Sequence, residues 1–416
     1  MNPETHSTSS GQEKICQNCK NSFVIELEDF DFYKKIDVPP PTFCPECRLQ
    51  RRLAWRNERS LYKDVCNLCG KPIVSMYFPD KPFPVYCREC WYSDKWNAID
   101  YGRDYDWQKP FFVQYRELME KVPRIALFLL RSESNVDYAN FIVECKNIYL
   151  SYSAVYSENI YYSRYLDKSK EIFDCFNGKE LEMCYENVDT ARNFQTRFMV
   201  RSHDCLSSSF LFDCVNCQDC FMSSNLRNKQ FVIRNKQYSK EKYEEEMGKI
   251  NLGSHRTEND LKKEFEKMAV VSLHKFSNLI KTTHCTGDNI ENSKNVQKSF
   301  DIYNGENMKF CVRVVSGARD VYDAVGGSSE LIYDGMAAGW GSYNTRFYTY
   351  TDGTRNVCYA DWCHNSSSLF GCVSLRKKDY CILNRQYTKD EYENMIPKII
   401  EHMNAMPYVD TRGNAY

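Results

Sequence analysis

Eight cysteines near the start of the chain stand as four Cys-x-x-Cys pairs: Cys16/Cys19, Cys44/Cys47, Cys66/Cys69 and Cys87/Cys90. Two residues between cysteines let the backbone turn so that both thiolates face one ion. Two such knuckles supply the four sulfurs of a tetrahedral structural zinc site. The pattern predicts two Zn2+ sites, each with four cysteine ligands. Four thiolates leave no open position for water, so these ions are expected to brace structure and not to catalyse. The gaps between pairs are 24, 18 and 17 residues. They favour sequential pairing, first with second and third with fourth, over an interleaved cross-brace. Gly70 follows Cys69 as a knuckle requires, because glycine tolerates positive φ; Lys20 after Cys19 departs from this.

The stretch CQNCKNSFVIELEDFDFYKKIDVPPPTFCPECRLQRR, starting at Cys16, resembles a zinc-ribbon family. That family reads Cys-x-x-Cys, an Asp-x-x-Phe-Tyr segment, then Cys-Pro-x-Cys-Arg and Arg-Arg. AWRNERSLY and VYCRECWYSDKW resemble a larger family of small-genome uncultured bacteria, in which ribbons precede a long Cys- and Asn-rich region. The resemblance covers most of the chain; it implies an architecture and brings no activity. Members continue past a Met-Pro-Tyr-Val-Asp segment toward a further ribbon. Here that segment, Met406 to Asp410, is followed by TRGNAY, so a shortened member is expected.

After Cys47 come Arg48, Arg51, Arg52, Arg56 and Arg59, which share one stripe if the segment is helical, with Trp55 nearby as a stacking face. Guanidinium groups so arranged suit phosphates, which makes RNA or ribosome contact one reading. The other is pairing with the acidic segment Glu26, Glu28, Asp29, Asp31 and Asp37. Residues 1–110 carry 16 basic and 16 acidic side chains, which favours internal pairing.

Across all 416 residues, Lys plus Arg (55) and Asp plus Glu (56) nearly cancel, so no global field steers the molecule to nucleic acid or membrane. No window is apolar enough to span a bilayer. The 21 cysteines are odd in number, and the polar start MNPETHSTSSGQEK lacks the apolar core of an export signal. A reducing cytoplasm is expected, with thiols bound to metal or buried. Thirty Tyr and 24 Phe favour strands.

These ligands must be held by a framework, and the rest of the chain supplies its pattern. Residues 104–122 read as a helix. From Asn147 onward a polar residue recurs every 11 or 12 positions, each followed by a short Cys-, Ile-, Tyr- and Ser-rich run. That period predicts a parallel β-solenoid (β-helix) with two short strands per coil of about 23 residues. Its interior would be filled by residues that ladder without clashing, and Asn amides would stack from coil to coil. NLRNKQFVIRNKQYSKEKYEEEM, from Asn225, matches SLRKKDYCILNRQYTKDEYENMI, from Ser374, at an offset of 149 residues, the mark of an internal duplication. Ser239 and Thr388 are expected N-caps of closing helices, and Thr257 with Asp260 is expected to open another.

The fold class is therefore mainly β: tandem zinc ribbons, then a duplicated β-solenoid with a helical insertion and caps. The expected units are ribbons at 1–60 and 61–107, a connecting helix at 108–133 and a first solenoid half at 134–240. An insertion follows at 241–284, a second half at 285–388 and a capping helix and tail at 389–416. Cys205, Cys214, Cys217 and Cys220 have iron–sulfur-like spacing but fall in the solenoid period, so ladder positions explain them. His203 with Cys205 has no third group to orient a base. No Gly-rich phosphate loop appears, so no nucleotide cofactor is expected. The leading functional reading is a non-catalytic zinc-binding scaffold for a protein partner, with no membrane and no catalytic residues. RNA binding through the arginine stripe is one alternative. A carbohydrate-active enzyme using Asp301, Asp320, Asp323 and Asp334 beside Arg319 and Trp340 is another.

Overall fold

The computed structural model describes residues 11–57, 60–132, 135–314 and 317–416. It is mainly β, with large curled parallel sheets preceded by two cysteine clusters. Each cluster begins with a short antiparallel hairpin, Gln12–Ile15 with Ser22–Ile25 and Tyr62–Val65 with Pro72–Ser75. Four helices stand among them: α1 (Leu27–Lys35), α2 (Pro45–Leu53), α3 (Arg88–Tyr92) and α4 (Phe111–Met119). The first helix opens on a reciprocal capping box between Glu26 and Asp29. Pro45 occupies the first turn of α2, where a missing N–H costs nothing. The helix expected over 104–122 is shorter, because Gly102–Lys109 is irregular and Pro110 starts α4.

Two parallel sheets follow, of 16 and 13 strands. Strand Lys146–Tyr149 pairs with Glu158–Tyr161, which pairs with Lys170–Phe173; Tyr152–Val155 pairs with Arg164–Asp167 in the same way. Partners thus lie 12 residues apart (Lys146↔Glu158), half the interval of about 23 expected. The reason lies in the backbone. Asn147, Leu150, Ser153 and Tyr156 all have φ between 46° and 55°, and Asn159 begins the next set. A left-handed residue at every third position bends the chain four times in 12 residues.

Burial has the same period of three. Ser151, Ala154, Ser157, Ile160, Ser163, Leu166, Ser169 and Ile172 are all buried. The small polar members do a specific task. The Ser151 hydroxyl donates to the Tyr149 carbonyl at 2.9 Å and accepts from the amide of Ser163 at 3.1 Å. Ser163 repeats the arrangement with Tyr161 (2.7 Å) and the amide of Cys175 (3.0 Å). Cysteine serves as well: the Cys145 sulfur accepts from the amide of Ser157 at 3.3 Å. The interior selects side chains that are small and offer an acceptor, hence its Ser, Cys, Asn and Thr. Outside, Asn135, Asn147 and Asn159 form an amide ladder at 3.0 and 2.7 Å.

Both ladders end alike. Asn235 accepts from the amide of Ser224, and Asn384 from that of Val373, each at 2.8 Å. A tight antiparallel return then closes each sheet, Val232↔Gln237 and Cys381↔Gln386. Helix α5 (Lys240–Gly248) follows the first return with Ser239 as N-cap. Next come α6 (His255–Val271) and, after the second return, α7 (Lys389–Ala405), N-capped by Thr388. The cap of α6 is Ser254 and not the expected Thr257, whose amide is the donor. Helix α6 lies on the first sheet through Phe265 against Phe210 and Lys262 against Glu186.

The two ladders run side by side in opposite directions. Phe141 meets Tyr350, Tyr165 meets Arg313, Asn177 meets Asp301 and Arg201 meets Asp288, so one number rises as the other falls. Among the described residues no helix is long and apolar enough to cross a membrane.

Candidate metal centres and the arginine helix behind them

Cys16, Cys19, Cys44 and Cys47 form one group whose sulfurs all lie within 4.8 Å of one another; Cys66, Cys69, Cys87 and Cys90 form a second. The pairing is sequential, as the gaps favoured, and no disulfide joins any of them. The two groups are built alike. The amide of Cys44 donates to the Cys16 sulfur at 3.2 Å, and that of Cys87 to the Cys66 sulfur at 3.3 Å. The knuckles close through the amides of Lys20 and Gly70, which donate to the carbonyls of Cys16 (3.0 Å) and Cys66 (2.9 Å). Lys20 takes φ 65° where Gly70 has 73°, so lysine holds the left-handed position that glycine fills in the other group.

Burial pushes the Cys16 thiol up, but the amides of Cys44, Cys19 and Asn18 outweigh it and bring it down to about 6. Cys66 likewise falls to about 7, with burial overcome by the amides of Cys87, Cys69 and Leu68. Their counterparts Cys44 and Cys87 are raised, first by burial. A cation bound by all four sulfurs removes that burden, since it takes the deprotonated form. Four sulfurs at mutual contact, with N–H donors aimed at them, fit a tetrahedral thiolate metal site.

The arginine run does not form an outward stripe. Arg48 and Arg52 are 2% and 3% exposed and converge on Asp323, which is 0% exposed, at 3.0 and 3.1 Å. Arg52 also reaches Asp334 at 3.2 Å, and Arg51 pairs with the same carboxylate. Arg56 lies over the rings of Tyr152 and Tyr165, at 5.6 and 5.8 Å, on the first ladder. Trp55 is half exposed, and its carbonyl accepts from the Tyr350 hydroxyl. Arg59 lies outside the described residues. The pairing is internal, but its partners are not the acidic segment near Asp29; they belong to the second ladder. Asp29 instead takes buried Lys309 at 2.7 Å, and Phe32 stacks on Tyr322 at 3.9 Å. A further buried pair, Arg124 with Asp361 at 2.5 Å, fixes the second module to the same ladder.

These pairs also dissolve the expected carbohydrate-processing acids. Asp323 and Asp334 are spent on arginines, Asp320 on Lys35 and Asn307, and Asp301 on Asn177 and Asn289. A groove of about 630 Å3 on the second ladder has Arg319 in its lining, with Glu306, Glu330, Tyr343 and Arg355, but none of these four acids. Cys205, Cys214, Cys217 and Cys220 are buried in one core cluster; Cys205, Cys214 and Cys220 donate to carbonyls nine residues on, and Cys217 to that of Val215. Among the described residues they do not join the mutually close sulfur groups. His203 is pushed down to about 4, by burial and then by the Arg192 cation, while Cys205 is raised, so neither is an activated partner for the other.

The buried lock on Asp323 and Asp334 was beyond sequence reasoning, because nothing local links residues 282 positions apart.

No protein-family profile matches the sequence, and no curated protein is similar to it. Among solved structures, one similar chain is assigned as an acetyltransferase of Desulfovibrio desulfuricans G20. It is 11% identical, the match covers 62% of this chain and 68% of that one, and the TM-score is 0.13.

Proposed function

We propose that this chain is a non-catalytic, zinc-binding scaffold of the cytoplasm. Each curled sheet is a solenoid of 12-residue coils, and the zinc modules form a clamp that holds the paired solenoids rigid for a protein partner. One observation carries this reading. The second knuckle of the first cysteine group, Cys44-x-x-Cys47, is the start of α2, and the next turns of that helix deliver Arg48 and Arg52 to Asp323. A zinc ion would draw the four sulfurs together, offset half of their charge and fix the direction of this helix. Its coordination would be closed by protein alone, which suits a structural part. The resemblance to zinc-ribbon proteins supports the same assignment. An RNA-binding part for the arginines is disfavoured because two of the stripe, Arg48 and Arg52, are buried.

Zinc content and thermal stability test this together. The purified protein is expected to hold two zinc ions per chain, and Cys44→Ser/Cys47→Ser to hold one and melt at lower temperature. A metal-free protein whose melting temperature ignores chelator would overturn the reading. Tight, salt-sensitive RNA binding would redirect it to nucleic acid.

A further inference from the structure

The far ends of both ladders are covered. The first is closed by α5 and α6, the second by α7 and by residues 98–103, where Asn384 donates to the Ala98 carbonyl at 2.9 Å. The near end of the second ladder is different. Strand Leu279–Ile280 is the terminal strand of the 13-stranded sheet and pairs on one side only, with Gly287–Glu291. Its other edge is a row of backbone donors and acceptors of the kind that recruits another strand.

The run leading to this edge exposes its apolar side chains. Val270 is 77% exposed, Val271 83%, Leu273 80% and Phe276 104%, while Leu279 and Ile280 are 37% and 39% exposed. The same run is tied to the first ladder: Lys275, itself 46% exposed, pairs with Asp213 at 2.9 Å, His274 packs on Phe212 at 4.8 Å, and the Leu273 carbonyl accepts from Asn225. The segment is therefore held against the first ladder while its apolar side chains meet water. That arrangement costs free energy in a monomer and is recovered only when the face is covered.

We propose that this face is a homodimer interface, in which the Leu279–Ile280 edge and the 270–276 apolar run meet their copies about a twofold axis. A second copy is the occupant that the observations favour. Antiparallel pairing of a strand edge with itself is self-complementary, and a twofold contact sets the same apolar patch on both sides. The six exposed apolar side chains offer roughly 700 Å2, close to the ~800 Å2 per partner of a standard interface. The formal net charge of −1 gives no long-range repulsion between copies.

Sedimentation velocity on the full zinc-loaded chain tests this. The wild type is expected at twice 49.1 kDa, that is 98.2 kDa, at micromolar concentration. Leu273→Glu/Phe276→Glu is expected to sediment as a monomer with unchanged circular dichroism and zinc content. Tyr138→Glu, an exposed aromatic on the first ladder, is expected to stay dimeric. A wild type that remains monomeric at ~100 µM, far above the dissociation constants typical of such areas, overturns the proposal. So does a double variant that stays dimeric, because the contact would then lie elsewhere.

Discussion

Asp323 sits at the meeting point of two arginines and is itself fully buried. Taking a carboxylate and two guanidiniums out of water is costly, and only their mutual attraction offsets it. Removing the Asp323 charge takes the carboxylate from Arg48 and leaves Arg52 with Asp334 alone. Asp323→Asn keeps the shape and removes the charge, so it isolates that effect. We expect it to destabilise the protein by about 3–5 kcal/mol in urea unfolding, against under ~1 kcal/mol for neutralising the exposed Lys35–Asp320 pair by Lys35→Met. Equal losses from the two changes would show that the buried site holds no special weight. The same reasoning separates Arg51, which is half exposed, from Arg48 and Arg52 although all three sit on one helix.

At the scale of the element, one turn of the ladder is a 12-residue unit whose inward serine links two neighbours. Ser163→Ala leaves the inward amide of Cys175 without its acceptor, which costs about 1–3 kcal/mol. Ser163→Cys should cost clearly less, because the Cys145 sulfur already accepts the same kind of amide elsewhere. If both changes cost the same, size and not hydrogen bonding governs the interior. This chemistry explains what could be read from the chain. The polar residues recurring from Asn147 revealed the 12-residue interval, and the match at an offset of 149 residues revealed that the ladder is duplicated. The expected coil of about 23 residues joins two such intervals, whereas the strands pair across a single one. The observed period of three depends on left-handed backbone at Leu150, Tyr156 and Tyr162, residue types that sequence does not associate with positive φ. The cysteine pairs were legible for a simpler reason: a knuckle is a local object, and its geometry is written in four consecutive residues. The burial of Arg48 is not local and depends on a partner fixed only by the folded second ladder.

In the whole molecule, the amino-terminal clamp touches both ladders at once. Arg48 and Arg52 reach Asp323 on the second, and Arg56 lies over Tyr152 and Tyr165 on the first. The direct contacts between the ladders are aromatic at one end, where Phe141 stacks on Tyr350 at 5.0 Å, and polar further along, as from Asn177 to Asp301 at 3.2 Å and Arg192 to Glu291 at 4.0 Å. The exposed polar ones contribute little. The amino-terminal part adds buried ion pairs to these contacts and is expected to supply much of the coupling. Neighbour-coupled repeat arrays unfold cooperatively only while their interfaces are strong relative to the stability of each part. Calorimetry should show one transition for the zinc-loaded chain. Chelation removes the constraint that aims α2, so the ladders should then melt in two steps, the second ladder losing more because Asp323, Asp334 and Lys309 lose their partners with the clamp. A single transition that persists after complete zinc removal would mean that the ladder-to-ladder contacts suffice alone. The arginine helix would then be a passenger on a surface already fixed.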